Sequence, residues 1–193
     1  MEKSRETVIM IDDDITNLTV ARNNLSEEYN FFTAPSGEKL FKLLERVTPS
    51  MILLDIEMPN MSGYEVMEIL KKDERTAGIP VIFLTGRMDT RSEIEGLRMG
   101  AADFVTKPFT KELLIKRMEL HMQFERQKKA LMEHTLSPKS EAGGGAETAA
   151  KEQIEAIVRT VASLIECREG ATDERFERTQ HYISLLLDVL LGN

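Results

Sequence analysis

Four places in the chain carry side chains able to act on a charged substrate. Asp12, Asp13 and Asp14 follow the apolar run VIMI, Asp55 follows MILL, Thr85 follows VIFL, and Lys107 comes just after DFV. Carboxylates that converge repel one another, and burying such charge is costly unless a cation neutralises it. Oxygen-only ligands favour Mg²⁺. An aspartate beside such an ion can attack a phosphoryl donor and keep the product. A lysine then supplies a point charge for the phosphoryl oxygens and a threonine a hydroxyl donor. Each feature also has a plain reading. Three acids after a strand often form a solvated turn or helix cap, Asp55 before MPNMSG can be a loop entry, Thr85 can be a turn residue, and Lys107 is one lysine among many. The weight lies in their joint occurrence at successive strand ends.

The elements that must position these groups are legible in the apolar patterning. Runs at 8–11, 30–34, 51–54, 81–84 and 103–105 read as strands. Between them lie segments with helical spacing: Leu18, Ala21, Arg22 and Leu25; Leu40, Leu43, Leu44 and Val47; Val66, Ile69 and Leu70 behind a Ser62/Glu65 capping box; and Ile94 and Leu97 behind Asp89. Most of the strands are apolar on both faces and alternate with helices, which predicts an α/β fold: a doubly wound, five-stranded parallel sheet covered on two sides. Right-handed crossovers bring every strand's C-terminal end to one edge, where ligands bind. A fifth helix is predicted from near Thr110 to about Leu136, with Leu113, Leu120, Phe124 and Leu131 in a loose heptad that Arg117 and Gln127 interrupt.

Composition narrows the remaining choices. The 193 residues are 41% hydrophobic and 30% charged, with a net charge of −8. That balance disfavours nucleic acid as a general partner, because phosphate binding needs a clustered basic surface. From residue 141 onward, five Lys/Arg stand against ten Asp/Glu, so DNA binding by the tail is not expected. Cys167 is the only cysteine, and no apolar run approaches the ~18 residues of a membrane span. A cytoplasmic protein with no membrane contact is the expectation. The segment SPKSEAGGGAET reads as a flexible linker. Three parts follow: 1–125 with the strand-end cluster, 126–150 with a helix extension and linker, and 151–193 as a helical hairpin whose apolar faces need a partner.

The stretches VIMIDDDITN, MILLDIEMPNMSGYE, VIFLTG and GAADFVTKPF, in this order, resemble the receiver domain of two-component response regulators. The resemblance spans about residues 6–125 and implies a flavodoxin-like receiver fold. It implies that Asp55 is the phosphoacceptor, taking a phosphoryl group from the phosphohistidine of a sensor histidine kinase. Asp12, Asp13, Asp55 and the backbone carbonyl of Glu57 would bind Mg²⁺, Thr85 and Lys107 would contact the phosphoryl group, and Lys107–Pro108 would be cis. Thr85 and Phe104 would form the switch, remodelling the surface of the fourth helix, fifth strand and fifth helix; the plain alternative for Phe104 is a core aromatic. A homodimer would use that surface or the C-terminal helices.

Two rival readings fit parts of the same residues. VIMIDDDIT also fits the haloacid-dehalogenase phosphatase pattern of Asp-x-Asp-x-Thr after a strand, with Asp12 as nucleophile and Asp14 as acid. It leaves Asp55 unexplained. A pseudo-receiver that binds without phosphorylation would use the same fold, but intact Asp12, Asp13, Asp55, Thr85 and Lys107 argue against it. The tail resembles the opening helices of HD-GYP domains, which hydrolyse cyclic di-GMP, through SLIEC and ERTQHY. Arg175 stands where that pattern places a histidine, and His181 alone cannot replace a binuclear metal cluster. The expectation is therefore a phosphoacceptor that is not an enzyme beyond the loss of its own phosphoryl group, with an HD-GYP-like helical appendage in which phosphodiesterase activity is not expected.

Overall fold

The computed structural model describes residues 5–86 and 96–136. Five strands, β1 (Thr7–Ile11), β2 (Asn30–Ala34), β3 (Met51–Asp55), β4 (Val81–Thr85) and β5 (Asp103–Thr106), form one parallel sheet in the order β2-β1-β3-β4-β5. The helices are α1 (Ile15–Leu25), α2 (Gly37–Leu44), α3 (Gly63–Lys72), α4, described over 96–98, and α5 (Lys111–Leu136). This is the doubly wound sheet that the patterning predicts. The chain divides into two compact units, residues 1–118 and 119–193. The Asp89 cap, Ile94, the linker and the hairpin expected over 151–193 lie outside the described residues.

The central strands are apolar on both faces because both are covered. All of β3 and β4 is buried, whereas β2, at the sheet edge, is largely exposed. On one face Ile9, Ile11, Ile52, Leu54, Val81 and Phe83 pack with Leu40, Val66, Met67 and Leu70 of α2 and α3. Alternate residues point the other way. There Met10 meets Ala21 and Leu25 of α1 and Leu114 of α5 along one groove.

Local chemistry sets the helix starts. Asp14 caps α1 by accepting from the Thr16 N–H at 2.7 Å, so the third acid of the DDD run has the plain role. Ser62 and Glu65 form the predicted capping box on α3. Thr110 accepts from the Leu113 N–H at the start of α5. Three residues depart from the helical faces assigned to them: Arg22 is exposed and donates to Thr33, and Ile69 and Leu113 are 43% and 39% exposed. Val47 lies beyond the end of α2 but still packs against the core. Helical spacing defines a stripe, but only the packed neighbours decide which of its flanking positions reach the core.

Candidate functional site

Strand register assembles the site. Ile11 lies level with Leu54 across β1 and β3, so one further step along each strand sets Asp12 beside Asp55. Asp55 is level with Leu84, which places Thr85 one residue further out at the same edge. Thr85 is level with Thr106, and its carbonyl accepts from the Lys107 N–H at 2.7 Å. The lysine thus begins its loop anchored to the end of β4. The Lys107–Pro108 bond is cis, as the resemblance implies.

From that anchor the Lys107 ammonium reaches across the sheet. Its Nζ donates to Asp12 Oδ2 at 2.6 Å and lies 2.9 Å from Asp55 Oδ2. Asp12 is fully buried and Asp55 is 5% exposed. Burial pushes the Asp55 carboxyl above the usual carboxylate range; the Lys107 hydrogen bond and charge oppose the shift, the Asp12 charge adds to it, and the Glu57 N–H, donating to the carboxylate, opposes it. Burial also works against the Lys107 ammonium, but hydrogen bonds and charge from Asp12 and Asp55 outweigh it and hold this group above the ordinary lysine range. Asp12, Asp13 and Asp55 can each offer one oxygen within 4.8 Å of the others, with Asp13 the exposed member. Two buried carboxylates against one ammonium leave residual negative charge, and three clustered oxygen donors suit a hard divalent cation.

The loop after β3 packs closely against the Asp55 backbone. Its tight course includes Asn60 at φ +67°. The Gly63 N–H donates to the Ile56 carbonyl at 2.9 Å, and a Cβ on Gly63 would stand 2.3 Å from the Asp55 carbonyl oxygen and 2.8 Å from the Ile56 Cα. Backbone cannot yield as a side chain can. Gly63→Ala is therefore expected to displace α3 from the end of β3 and destabilise the fold by about 2 kcal/mol or more. Urea denaturation measures this, and an unchanged midpoint would show that the contact is not tight.

Phe104 is 3% exposed, with its ring centroid 5.1 Å from that of Phe83. A Cβ on Gly96 would lie 2.3 Å from the Phe104 ring, so the absence of a side chain in α4 makes room for the ring in the core. Two participants escaped the sequence reading. Asn17 donates to both carboxylate oxygens of Asp12, at 3.2 and 3.1 Å. Buried Asp103 accepts from the Phe104 N–H at 2.7 Å and from Arg117 at 2.8 Å, tying β5 to α5 beside the aromatic ring. The break that Arg117 makes in the apolar heptad was the signal for the second; the first had none, because an amide five residues after an acid is unremarkable until a helix turns it back.

The phosphatase reading of the DDD run does not fit this geometry. Its proposed acid, Asp14, is exposed and held below the usual carboxylate range by hydrogen bonds from Thr16, so it carries no proton to donate near neutrality. Its proposed nucleophile, Asp12, is buried under donors from Asp14, Asn17 and Lys107.

Comparison with known proteins agrees. The response regulator receiver domain family matches residues 8–119. The chain is 36% identical over 183 residues to a probable cyclic di-GMP phosphodiesterase of Vibrio cholerae serotype O1, covering 95% of this chain and 41% of that protein. It is 36% identical over 115 residues to the probable transcriptional regulator ycf27 of Cyanophora paradoxa, covering 58% of this chain and 47% of that one. The chain thus spans less than half the length of these curated relatives. The chemotaxis protein CheY4 of Vibrio cholerae superimposes with a TM-score of 0.58 at 25% identity, over 60% of this chain and 98% of its own. No helix among the described residues is long and apolar enough to cross a membrane. By sequence, strand order and the cluster at the strand ends, this chain belongs to the response regulator receiver domain family of two-component signalling.

Proposed function

We propose that Asp55 is the phosphoacceptor of a Mg²⁺-dependent phosphoryl transfer from the phosphohistidine of a sensor histidine kinase. The observation that carries this reading is the Lys107 ammonium bridging two buried carboxylates, Asp12 and Asp55, with Asp13 alongside. Asp12, Asp13, Asp55 and the Glu57 carbonyl would hold the ion, whose positive charge, when bound, offsets that of the carboxylates and phosphoryl oxygens. An Asp55 carboxylate oxygen attacks phosphorus, the bond from phosphorus to the donor nitrogen breaks, and the electron pair leaves with the imidazole. Lys107, already at Asp55, then pairs with the new phosphoryl oxygens, and the Thr85 hydroxyl donates to them from the end of β4. Asp55 takes up one group per chain, so the domain acts as an acceptor and not as a turnover catalyst.

The acyl phosphate adds a charge of about −1.5 to −2 at the sheet edge. Drawing Thr85 and Lys107 toward it favours the inner position of Phe104 and alters the surface of α4, β5 and α5. Through α5 that change reaches residues 126–193, which we assign to the helical output, with self-association through the α4-β5-α5 surface or the C-terminal helices. The match to the probable cyclic di-GMP phosphodiesterase of Vibrio cholerae covers 95% of this chain, tail included, and supports reading the tail as HD-GYP-like; its acidic balance disfavours DNA as the target. Acetyl phosphate with Mg²⁺, followed by intact-mass measurement, tests the acceptor role. The expected result is one phosphoryl group on the wild-type chain and none when Mg²⁺ is chelated; labelling that persists in Asp55→Asn would refute the assignment.

A further inference from the structure

We propose that Asn17 is a positioning residue that holds Asp12 and competes with a divalent cation for it, setting the metal affinity of the receiver. This inference rests on the Mg²⁺-dependent reading above and extends it to a residue on α1. An ionised carboxylate offers about four lone-pair sites. On Asp12, Oδ1 accepts from the Asp14 N–H at 2.9 Å and from Asn17 Nδ2 at 3.2 Å, while Oδ2 accepts from Lys107 Nζ at 2.6 Å and from the same Asn17 nitrogen at 3.1 Å. Those four contacts fill the acceptor capacity of a side chain that has no exposure to water. A cation, or a water bound to it, can engage Asp12 only by displacing a donor.

Asn17 is the donor that yields. The Asp14 N–H is main chain, at the residue that caps α1. Lys107 carries a full charge shared with Asp55 at 2.9 Å. Asn17 is neutral, and its two contacts are the longest of the four. It is partly buried and borders a groove of about 370 Å³ alongside Val20, Lys107 and Pro108, so the carboxamide has space to turn away. Until then it supplies Asp12 with the hydrogen bonds that a buried carboxylate requires.

The test is Mg²⁺ titration of the metal-free full chain by calorimetry, with nitrogen-resolved NMR of the side-chain amides. In the wild type the Asn17 carboxamide resonances should shift saturably with the same Kd as the calorimetric event. Asn17→Ala, which keeps a strong helix former in α1, should bind Mg²⁺ about three- to tenfold more tightly, because no donor to a charged group has to be displaced. Asn17→Leu, equally unable to donate, should behave alike and separates the donor's effect from its volume. Affinity in both variants within twofold of wild type, weaker affinity in either, or Asn17 resonances that ignore Mg²⁺ would overturn the inference. If the wild type binds Mg²⁺ and takes the phosphoryl group while the variants match it, only the role of Asn17 falls. If the wild type does neither, the reading of the site falls with it.

Discussion

Lys107→Met should destabilise the metal-free receiver by about 3 kcal/mol, near the lower end of the cost of breaking a buried ion pair. The physical reason is that the Asp12 and Asp55 carboxylates would be left together with no ammonium between them, Asp12 fully buried and Asp55 at 5% exposure. The lower end applies because the lysine side chain keeps a fifth of its surface in solvent. The sign of the pH dependence follows from the raised lysine. Its contribution is fully present below the unfolded lysine pKa of about 10.4 and disappears as pH rises through the still higher folded value, so the wild-type advantage persists across the neutral range and closes only in alkali. Mg²⁺ should restore part of the lost stability, since it supplies positive charge to the same oxygens. Chemical denaturation with and without Mg²⁺ measures both effects, and a variant as stable as wild type in chelator would show that the bridge contributes nothing.

Asp55→Asn should act in the opposite direction on stability while abolishing phosphorylation. Removing one carboxylate leaves Asp12 and Lys107 as a neutral pair, so the metal-free variant should gain about 1 kcal/mol, a rise of a few degrees in Tm. The folded pKa of Asp55 is raised, so the folded state favours the protonated form. The stability that this group contributes is therefore present below its unfolded pKa of about 3.9 and lost as pH rises through the folded value. The gain of the asparagine variant should accordingly open above about pH 4 and vanish below it. Mg²⁺ should erase the difference by stabilising the wild type more than the variant. Scanning calorimetry across pH checks the profile. A lower Tm for Asp55→Asn at neutral pH would mean that Lys107 stabilises the ionised Asp55 by more than its burial costs. In the double variant with Lys107→Met, Asp12 is the only one of the three bridged groups to stay charged, so the two substitutions should be non-additive by roughly 1–3 kcal/mol, as expected for groups in direct contact.

The two outcomes share one cause with function. Three clustered carboxylates against one ammonium carry excess negative charge. On the proposed reading that excess is what would draw a cation to the site, and the same excess is what the asparagine variant is expected to relieve.

Much of this was readable in the residues themselves. Apolar runs of period and length suited to buried parallel strands, separated by helical stripes, determined the doubly wound sheet. Because all parallel strands end at one edge, they also determined that Asp12, Asp55, Thr85 and Lys107 would gather there. Capping at Ser62 and Glu65 was equally local, since both partners lie within one helical turn. The tertiary structure alone decided which of those groups touch. A lysine side chain is long and rotatable, and only the backbone bond from Lys107 to the end of β4 aims it at two carboxylates. The same holds for Asn17 against Asp12 and for Arg117 against Asp103, pairs whose distances depend on how a helix is rotated upon the sheet. Periodicity records that a residue faces inward; the partner it meets there is set by packing between segments distant in the chain, and sequence spacing carries no term for that.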